Sequence, residues 1–177
     1  MNKLLIVVDM QHDFTFGALK NLEAITVIPK VLKKVNEFDG EVIYTLDTHT
    51  EDYLNTQEGK NLPVIHCVEG TKGHNLVEPL LDVQKVMGSK TYNKPTFGSI
   101  KLAEDIAKWH AENPIDEIEL CGVCTDICVI SNAMLIKAAV PEVKITVDAS
   151  CSAGVSVQSH LNALEAMKMV QINIINE

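Results

Sequence analysis

The sequence predicts an α/β protein in which a parallel β-sheet is covered by helices on both faces. Short apolar runs of strand length recur along the chain, at residues 3–8, 41–46, 85–87, 117–123, 143–147 and 170–175. Apolar residues at helical spacing lie between these runs, at residues 24–38, 99–110, 125–139 and 157–169. Strands that alternate with helices of this length are typical of βαβ units, which build parallel sheets.

Each element follows from its own pattern, in chain order. The first strand, LLIVV, has no polar position, which favours burial on both faces. The helix over 24–38 places one apolar stripe at Ile25, Ile28, Leu32, Val35 and Phe38, and Asp39-Gly40 ends it. The helix over 99–110 has a stripe at Ile100, Ala103, Ile106 and Ala107. The segment 47–76 has no clear period, and a loop of that length is usually functional or disordered.

Length and composition indicate one soluble globular domain over residues 1–177. The chain has 46% hydrophobic and 22% charged residues, with no repeat and no Gly/Ser linker. A net charge of −9 argues against nucleic acid and anionic membranes as partners. The apolar run at 4–8 is too short for a signal peptide or a membrane span, so we expect a cytoplasmic protein. An odd number of cysteines, five, also fits poorly with a complete disulfide framework.

Three of those cysteines are clustered in LCGVCTDICVI, at Cys121, Cys124 and Cys128. A structural zinc site usually needs a second close pair, which the sequence lacks. Cys121 falls inside a predicted strand and should be an inert core residue. Cys128 falls in the first turn of the next helix, after an N-cap at Thr125 or Asp126, where the helix dipole favours a thiolate. On this position alone, two interpretations of Cys128 are equally consistent: a nucleophile and a packed core cysteine.

Two charged residues favour the nucleophile. Asp9 follows the first apolar strand and could accept the thiol proton as a general base. Lys94, in the loop sequence KTYNKPTFGS, could hold a thiolate and stabilise developing negative charge. In an open α/β sheet, ligands bind beyond the carboxyl ends of the strands, where such residues meet.

The long loop at 47–76 contains a second group of candidate functional residues, which could bind a metal ion. Asp47 and His49 alternate along an extended segment, so both can face one ion. His66 supplies a second imidazole, and Glu58 is a candidate fourth ligand. One carboxylate with two imidazoles suits a divalent ion such as Zn, Fe or Mn.

Five stretches in order along nearly the whole chain resemble the isochorismatase-like cysteine hydrolases, and most of all their nicotinamidase (pyrazinamidase) branch. They are VVDMQHDF at 7–14, DTH at 47–49, HCVEGTKG at 66–73, KPTFGS at 94–99 and GVCTDICV at 122–129. The resemblance implies a three-layer α/β/α fold whose six-stranded parallel sheet has the order 3-2-1-4-5-6. It implies hydrolysis of nicotinamide to nicotinate and ammonia through a cysteine thioester, in a homodimer or homotetramer.

The resemblance also assigns roles to residues. Asp9, Lys94 and Cys128 form the catalytic triad, and the backbone N–H groups of Cys124 and Cys128 form the oxyanion hole after a cis peptide. The metal ligands are Asp47, His49, Glu58 and His66. The residues expected to bind the substrate are Phe14, Phe97, Leu62 and Val123. One departure concerns the substrate wall, because Leu62 or Pro63 stands where well-known nicotinamidases have an aromatic residue.

Three other functions are compatible with parts of the sequence. A cysteine hydrolase of the same superfamily that acts on a carbamoyl or ureido amide is favoured by the missing aromatic wall and disfavoured by the D-x-H metal pattern. An isochorismate hydrolase is disfavoured because such enzymes generally lack the cysteine. A flavodoxin-like binding module is disfavoured because no phosphate-binding loop follows the first strand.

Overall fold

Six parallel strands form the centre of the structure, and the computed structural model describes residues 2–177. The strands are β1 (Lys3–Val8), β2 (Glu41–Asp47), β3 (Thr91–Lys94), β4 (Glu117–Val123), β5 (Lys144–Ala153) and β6 (Asn173–Ile175). Their order across the sheet is β3-β2-β1-β4-β5-β6, which confirms the predicted order 3-2-1-4-5-6. Every pairing is parallel.

Helices connect the strands and cover both faces of the sheet. They are α1 (His12–Thr15), α2 (Leu22–Glu37), α3 (Gln57–Asn61), α4 (Glu78–Met87), α5 (Ile100–Glu112), α6 (Ile130–Ala139) and α7 (Val157–Met169). Within residues 2–177, none of them is both long enough and apolar enough to cross a bilayer.

The sheet separates two hydrophobic cores, and strand β1 contributes to both. Leu4, Ile6 and Val8 pack with α5, α6 and α7 on one face. Leu5 and Val7 pack with α2 and α4 on the other. Successive side chains of a strand point to opposite faces, so an apolar run without alternation belongs in the middle of a covered sheet.

The predicted strand at 85–87 is wrong. Those residues form the last turn of α4, which Gly88 ends in a left-handed conformation with φ 63°. The third strand lies a few residues further on, at Thr91–Lys94. It is short, lies at the edge of the sheet and alternates between exposed and buried positions, so it lacks the apolar run that marks the other strands.

The segment over 125–139 also differs from its prediction as one helix. Residues Thr125–Val129 form a π-helical turn that leads into α6. Neither Thr125 nor Asp126 is the N-cap; Cys124 takes that position, without a capping side chain. Asp126 instead accepts hydrogen bonds from Val155 N at 3.1 and 3.3 Å. The long loop at 47–76 is irregular as expected, apart from a 3₁₀ turn at Tyr53–Asn55 and the short helix α3.

Candidate active site

Three strand ends deliver the predicted catalytic residues to one point. Asp9 follows β1, Lys94 ends β3, and Cys128 lies in the π-helical turn after β4. Lys94 Nζ lies 2.6 Å from Asp9 Oδ2 and 3.6 Å from Cys128 Sγ. All three side chains are buried, although they lie far apart along the chain.

The lysine and the aspartate of this group share a buried ion pair. Thr45 Oγ1 donates a hydrogen bond of 2.6 Å to Asp9 Oδ1, and Lys94 Nζ also donates to Thr96 O at 3.2 Å. Burial lowers the pKa of Lys94, but Asp9, Cys128 and Asp47 together raise it above its ordinary value, so the amine stays protonated. Burial raises the pKa of Asp9 more than Lys94 lowers it, which makes this carboxylate a stronger base than an exposed aspartate.

The thiol of Cys128 is held in its neutral form. Burial raises its pKa, the Asp9 carboxylate raises it further, and Lys94 opposes both only in part. The predicted effect of the helix N-terminus, which favours a thiolate, is opposed here by burial of the sulfur and by the Asp9 carboxylate. Such a thiol needs a base to become a nucleophile, and Asp9 is the nearer of two carboxylates at the same ammonium group, at 2.6 Å against 3.6 Å for Asp47.

The four predicted metal ligands converge beside this group. The ligand atoms of Asp47, His49, Glu58 and His66 all lie within 4.8 Å of one another. His49 Nε2 lies 3.0 Å from Asp47 Oδ2 and 3.6 Å from Glu58 Oε1. The corresponding distances from His66 Nε2 are 3.3 and 3.7 Å.

This donor set fits a divalent metal ion. Two imidazole nitrogens and two carboxylate oxygens suit zinc or a similar ion, and ligands at about 2.0–2.2 Å from a tetrahedral ion lie roughly 3.3–3.6 Å apart. Val64 O is 2.7 Å from His66 Nδ1, so Nδ1 carries the proton and Nε2 has its lone pair free for the ion. Asp47 Oδ2 is the oxygen that faces both imidazoles, while Asp47 Oδ1 points to Lys94 Nζ at 3.6 Å.

Two residues that the sequence analysis did not assign hold these ligands in place. Gln11 makes two hydrogen bonds to the backbone of Asp47. Its Nε2 donates to Asp47 O and its Oε1 accepts from Asp47 N, each at 2.8 Å. The Tyr53 ring packs against His49 and His66, with centroid distances of 4.6 and 4.9 Å. The role of Gln11 could have been suspected from the sequence, because it lies in the family-like stretch VVDMQHDF. Tyr53 lies in no such stretch, so the sequence gives no indication of its role.

A cavity of about 430 Å³ opens above both groups. Cys124 and Cys128 line it, as do the predicted metal ligands Asp47, Glu58 and His66. Three of the predicted substrate-binding residues, Phe14, Phe97 and Leu62, also line it. The remaining lining residues are Leu19, Lys20, Asn21, Leu22, Ile127 and Val155. This volume lies within the range of roughly 300–1,000 Å³ that is usual for small-molecule sites.

Val123 is not part of that lining. Its side chain is fully buried in the core under α2 and α4, so the predicted role of Val123 in substrate binding has no support from the cavity lining and stays a prediction. The peptide bond between Val123 and Cys124 is cis, as the family resemblance implied.

The other three cysteines are buried and free. Cys121 lies in β4 and Cys151 in β5, and both belong to the core under α2. Cys67, which follows the predicted ligand His66, donates a backbone hydrogen bond of 2.8 Å to Asp13 Oδ2. None of the three side chains lines the cavity, whereas the buried Cys128 does, and its sulfur lies 3.6 Å from Lys94 Nζ.

Comparisons with known proteins agree with this geometry. The family model "Isochorismatase domain" matches residues 3–176. The nicotinamidase/pyrazinamidase of Mycobacterium tuberculosis is 26% identical over 98% of each chain. The solved pyrazinamidase/nicotinamidase of Streptococcus mutans has 26% identity and a TM-score of 0.84, over 98% of this chain and 100% of that one. The pyrazinamidase of Pyrococcus horikoshii in complex with zinc has 26% identity and a TM-score of 0.79 over all of both chains. This chain belongs to the isochorismatase family.

Proposed function

We propose that the protein hydrolyses nicotinamide to nicotinate and ammonia through a thioester on Cys128. The observation that carries the proposal is the meeting of a base, an ammonium group and a thiol beneath a cavity that also exposes metal ligands. Amide hydrolysis is supported by the family and by relatives named as nicotinamidases or pyrazinamidases. The choice of nicotinamide rests on those names and on the ring-sized apolar cavity.

Acylation begins with a proton transfer. Asp9 takes the proton from Cys128 Sγ, and the thiolate attacks the carboxamide carbon. Lys94, 3.6 Å from the sulfur, keeps the site's charge balanced while negative charge moves from the carboxylate to the sulfur. The backbone N–H groups of Cys124 and Cys128 stabilise the oxyanion, and the loss of one such donor typically costs about 10²–10³ in rate.

Acylation ends when protonated Asp9 gives the thiol's proton to the departing nitrogen, which leaves as ammonia while the acyl group stays on Cys128. Deacylation uses a second proton, which comes from water. Asp9 then accepts a proton from the attacking water and returns it to the sulfur as nicotinate departs. One water is consumed, one amide bond is broken, and the thiol and carboxylate regain their starting forms.

The metal would be held by Asp47, His49, Glu58 and His66. When bound, it supplies an open coordination position suited to the ring nitrogen of nicotinamide. Phe14, whose ring meets that of His66 edge-on at 5.7 Å, and Phe97 offer faces for the pyridine ring. This chain's own residues therefore orient the ring, while Asp9, Lys94 and Cys128 carry out the bond changes.

A second candidate function is hydrolysis of a non-aromatic carbamoyl or ureido amide. The specific observation in its favour is the aliphatic part of the cavity wall, formed by Leu19, Leu22, Leu62 and Val155. Such a wall accepts an aliphatic chain as readily as a flat ring. Relative kcat/KM for nicotinamide and for a panel of aliphatic amides and ureido acids separates the two functions.

Ammonia release from nicotinamide by the zinc-loaded protein tests the proposal. Cys128→Ala should abolish turnover and retain the fold and the bound metal, because the sulfur is not a metal ligand. Cys151→Ala is the matched control, since Cys151 is a buried cysteine outside the cavity, and it should turn over like the wild type. Turnover by Cys128→Ala at the wild-type rate would rule out the mechanism.

A further inference from the structure

Asn132, in the first turns of α6, uses its whole carboxamide in hydrogen bonds although it is only 1% exposed. Its Oδ1 accepts from Ser99 N at 2.9 Å. Its Nδ2 donates to Cys128 O at 2.8 Å and to Phe97 O at 3.2 Å. One buried side chain thus joins the backbone that bears the proposed nucleophile to a loop that lies over 30 residues away in sequence.

That loop, residues 95–99, carries parts of the proposed site. It begins directly after Lys94, and Thr96 O accepts a hydrogen bond from Lys94 Nζ. Phe97 lines the cavity. The loop therefore contacts the catalytic ammonium group through one carbonyl and the nucleophile's turn through Asn132.

The loop also packs closely against α6. A Cβ atom at Gly98 would come within 2.6 Å of Leu135 Cδ1 and 3.2 Å of Ser131 O. Close packing alone allows sliding, whereas hydrogen bonds from a planar amide fix both distance and direction. The three bonds of Asn132 supply that direction.

The helix itself does not require these bonds to the loop. Ser131, the preceding residue, donates its Oγ to Ile127 O at 2.6 Å, the same i to i−4 arrangement that Asn132 makes with Cys128 O. The Ser131 side chain makes no further hydrogen bond within residues 2–177. The distinguishing property of Asn132 is therefore the bridge to Phe97 and Ser99.

We propose that Asn132 is a positioning residue that sets Cys128 against Lys94 and Phe97. It acts through other residues, because its amide contacts only backbone atoms of the turn and the loop. The role in turnover rests on the proposed function. A loosened bridge would misplace the thiol relative to the ammonium group and the cavity wall, and a shift of about 1 Å can cost roughly a hundredfold in rate.

Two variants and one control test the bridge in the zinc-loaded protein. Asn132→Ala removes all three bonds. Asn132→Ser retains a hydroxyl for the i−4 bond to Cys128 O, but this side chain is too short to reach the loop. It replaces Asn132→Ala as the test if the alanine variant does not fold. Ser131→Ala removes a helix bond without touching the bridge. The measurements are kcat and KM for nicotinamide, hydrogen exchange of the peptide covering 95–99, and the rate of Cys128 alkylation by iodoacetamide followed by mass spectrometry.

Both Asn132 variants should lower kcat about 10- to 100-fold with KM changed less than threefold, and they should speed exchange in the loop. They should also change the alkylation rate of Cys128 at least threefold, while Ser131→Ala stays within twofold of wild type throughout. An active wild type whose Asn132→Ser variant keeps kcat within twofold overturns the inference. A wild type without nicotinamide turnover instead overturns the proposed function. In that case the alkylation and hydrogen-exchange rates test the bridge alone. Rates within twofold of wild type in the Asn132 variants overturn the bridge, and the expected changes support it.

Discussion

Replacing Lys94 with Met tests the electrostatics of the site, because it removes the one ammonium group that touches both Asp9 and Cys128. The substitution is close in volume, so little packing is lost. At 2.6 Å and an effective dielectric constant of about 20, the attraction between Lys94 and Asp9 is about 6 kcal/mol. Without it, burial favours the neutral acid, and Asp9 should be protonated at neutral pH.

A protonated Asp9 cannot accept the thiol proton. If two thirds of the attraction is realised, about 4 kcal/mol, kcat should fall roughly a thousandfold. The fold should also lose about 3–5 kcal/mol at neutral pH, as is usual when one partner of a buried pair is removed. In the variant the folded-state pKa of Asp9 lies above its unfolded value, so the folded state binds the extra proton and stability should fall as the pH rises from about 5 to 8.

The assays are ammonia release and urea unfolding at both ends of that pH range. Lys101→Met is the matched control: Lys101 is an exposed lysine paired with Asp105 on α5, and its loss should cost less than about 1 kcal/mol. Lys94→Met with more than a tenth of the wild-type kcat would refute the assignment of Lys94. Equal stability loss at both pH values would refute the account of Asp9.

Three further predictions concern the metal site, the distal ion pairs and the cavity wall. Glu58→Gln should weaken zinc binding at least tenfold, measured by competition with a chromogenic chelator, since it replaces an anionic ligand atom; unchanged affinity would remove Glu58 from the ligand set. Burial raises the pKa of Asp148, but hydrogen bonds from Lys34 and Ser150 outweigh burial and lower this pKa overall. The ionised Asp148 therefore stabilises the fold above its unfolded-state pKa, and this stabilisation is lost as the pH falls through the folded-state pKa. Asp148→Asn should therefore cost about 1–3 kcal/mol in urea unfolding at pH 7 and almost nothing near pH 2, and a constant difference would contradict this. Leu62→Tyr should lower KM for nicotinamide roughly three- to tenfold with kcat little changed, because a ring replaces an aliphatic wall; a higher KM would contradict that placement.

Much of the fold could be predicted because its central strands are apolar on both faces. The run that forms β1 allows no other placement than the middle of a covered sheet, and its end fixes Asp9 at the carboxyl edge. The edge strand β3 was missed because only two of its four residues are buried. The alternation there is too short to distinguish from a loop, and the apolar pair Val86-Met87 at the end of α4 resembles a strand more closely.

The candidate site was predictable where residue type alone limits the chemistry. Asp47, His49, Glu58 and His66 could be selected because carboxylates and imidazoles are metal ligands, and the structure brings all four together. Their catalytic and binding roles, like the oligomeric state, stay predictions.

The protonation of Cys128 and the role of Asn132 could not be predicted from sequence. A helix N-terminus favours a thiolate, but the opposing effect of burial depends on which side chains surround the sulfur. Asn132 reads as an ordinary helix residue, and its importance comes from backbone atoms of Phe97 and Ser99 that only the folded chain places beside it. Properties set by desolvation and by contacts distant in sequence require the structure.

Mass spectrometry of the zinc-loaded protein, acid-quenched during turnover of nicotinamide, tests the central claim most directly. The account predicts a nicotinoyl thioester on the peptide that contains Cys128, present only while substrate remains and absent in Cys128→Ala. Ammonia release without any acyl adduct on that peptide, or an adduct on another cysteine, would contradict it.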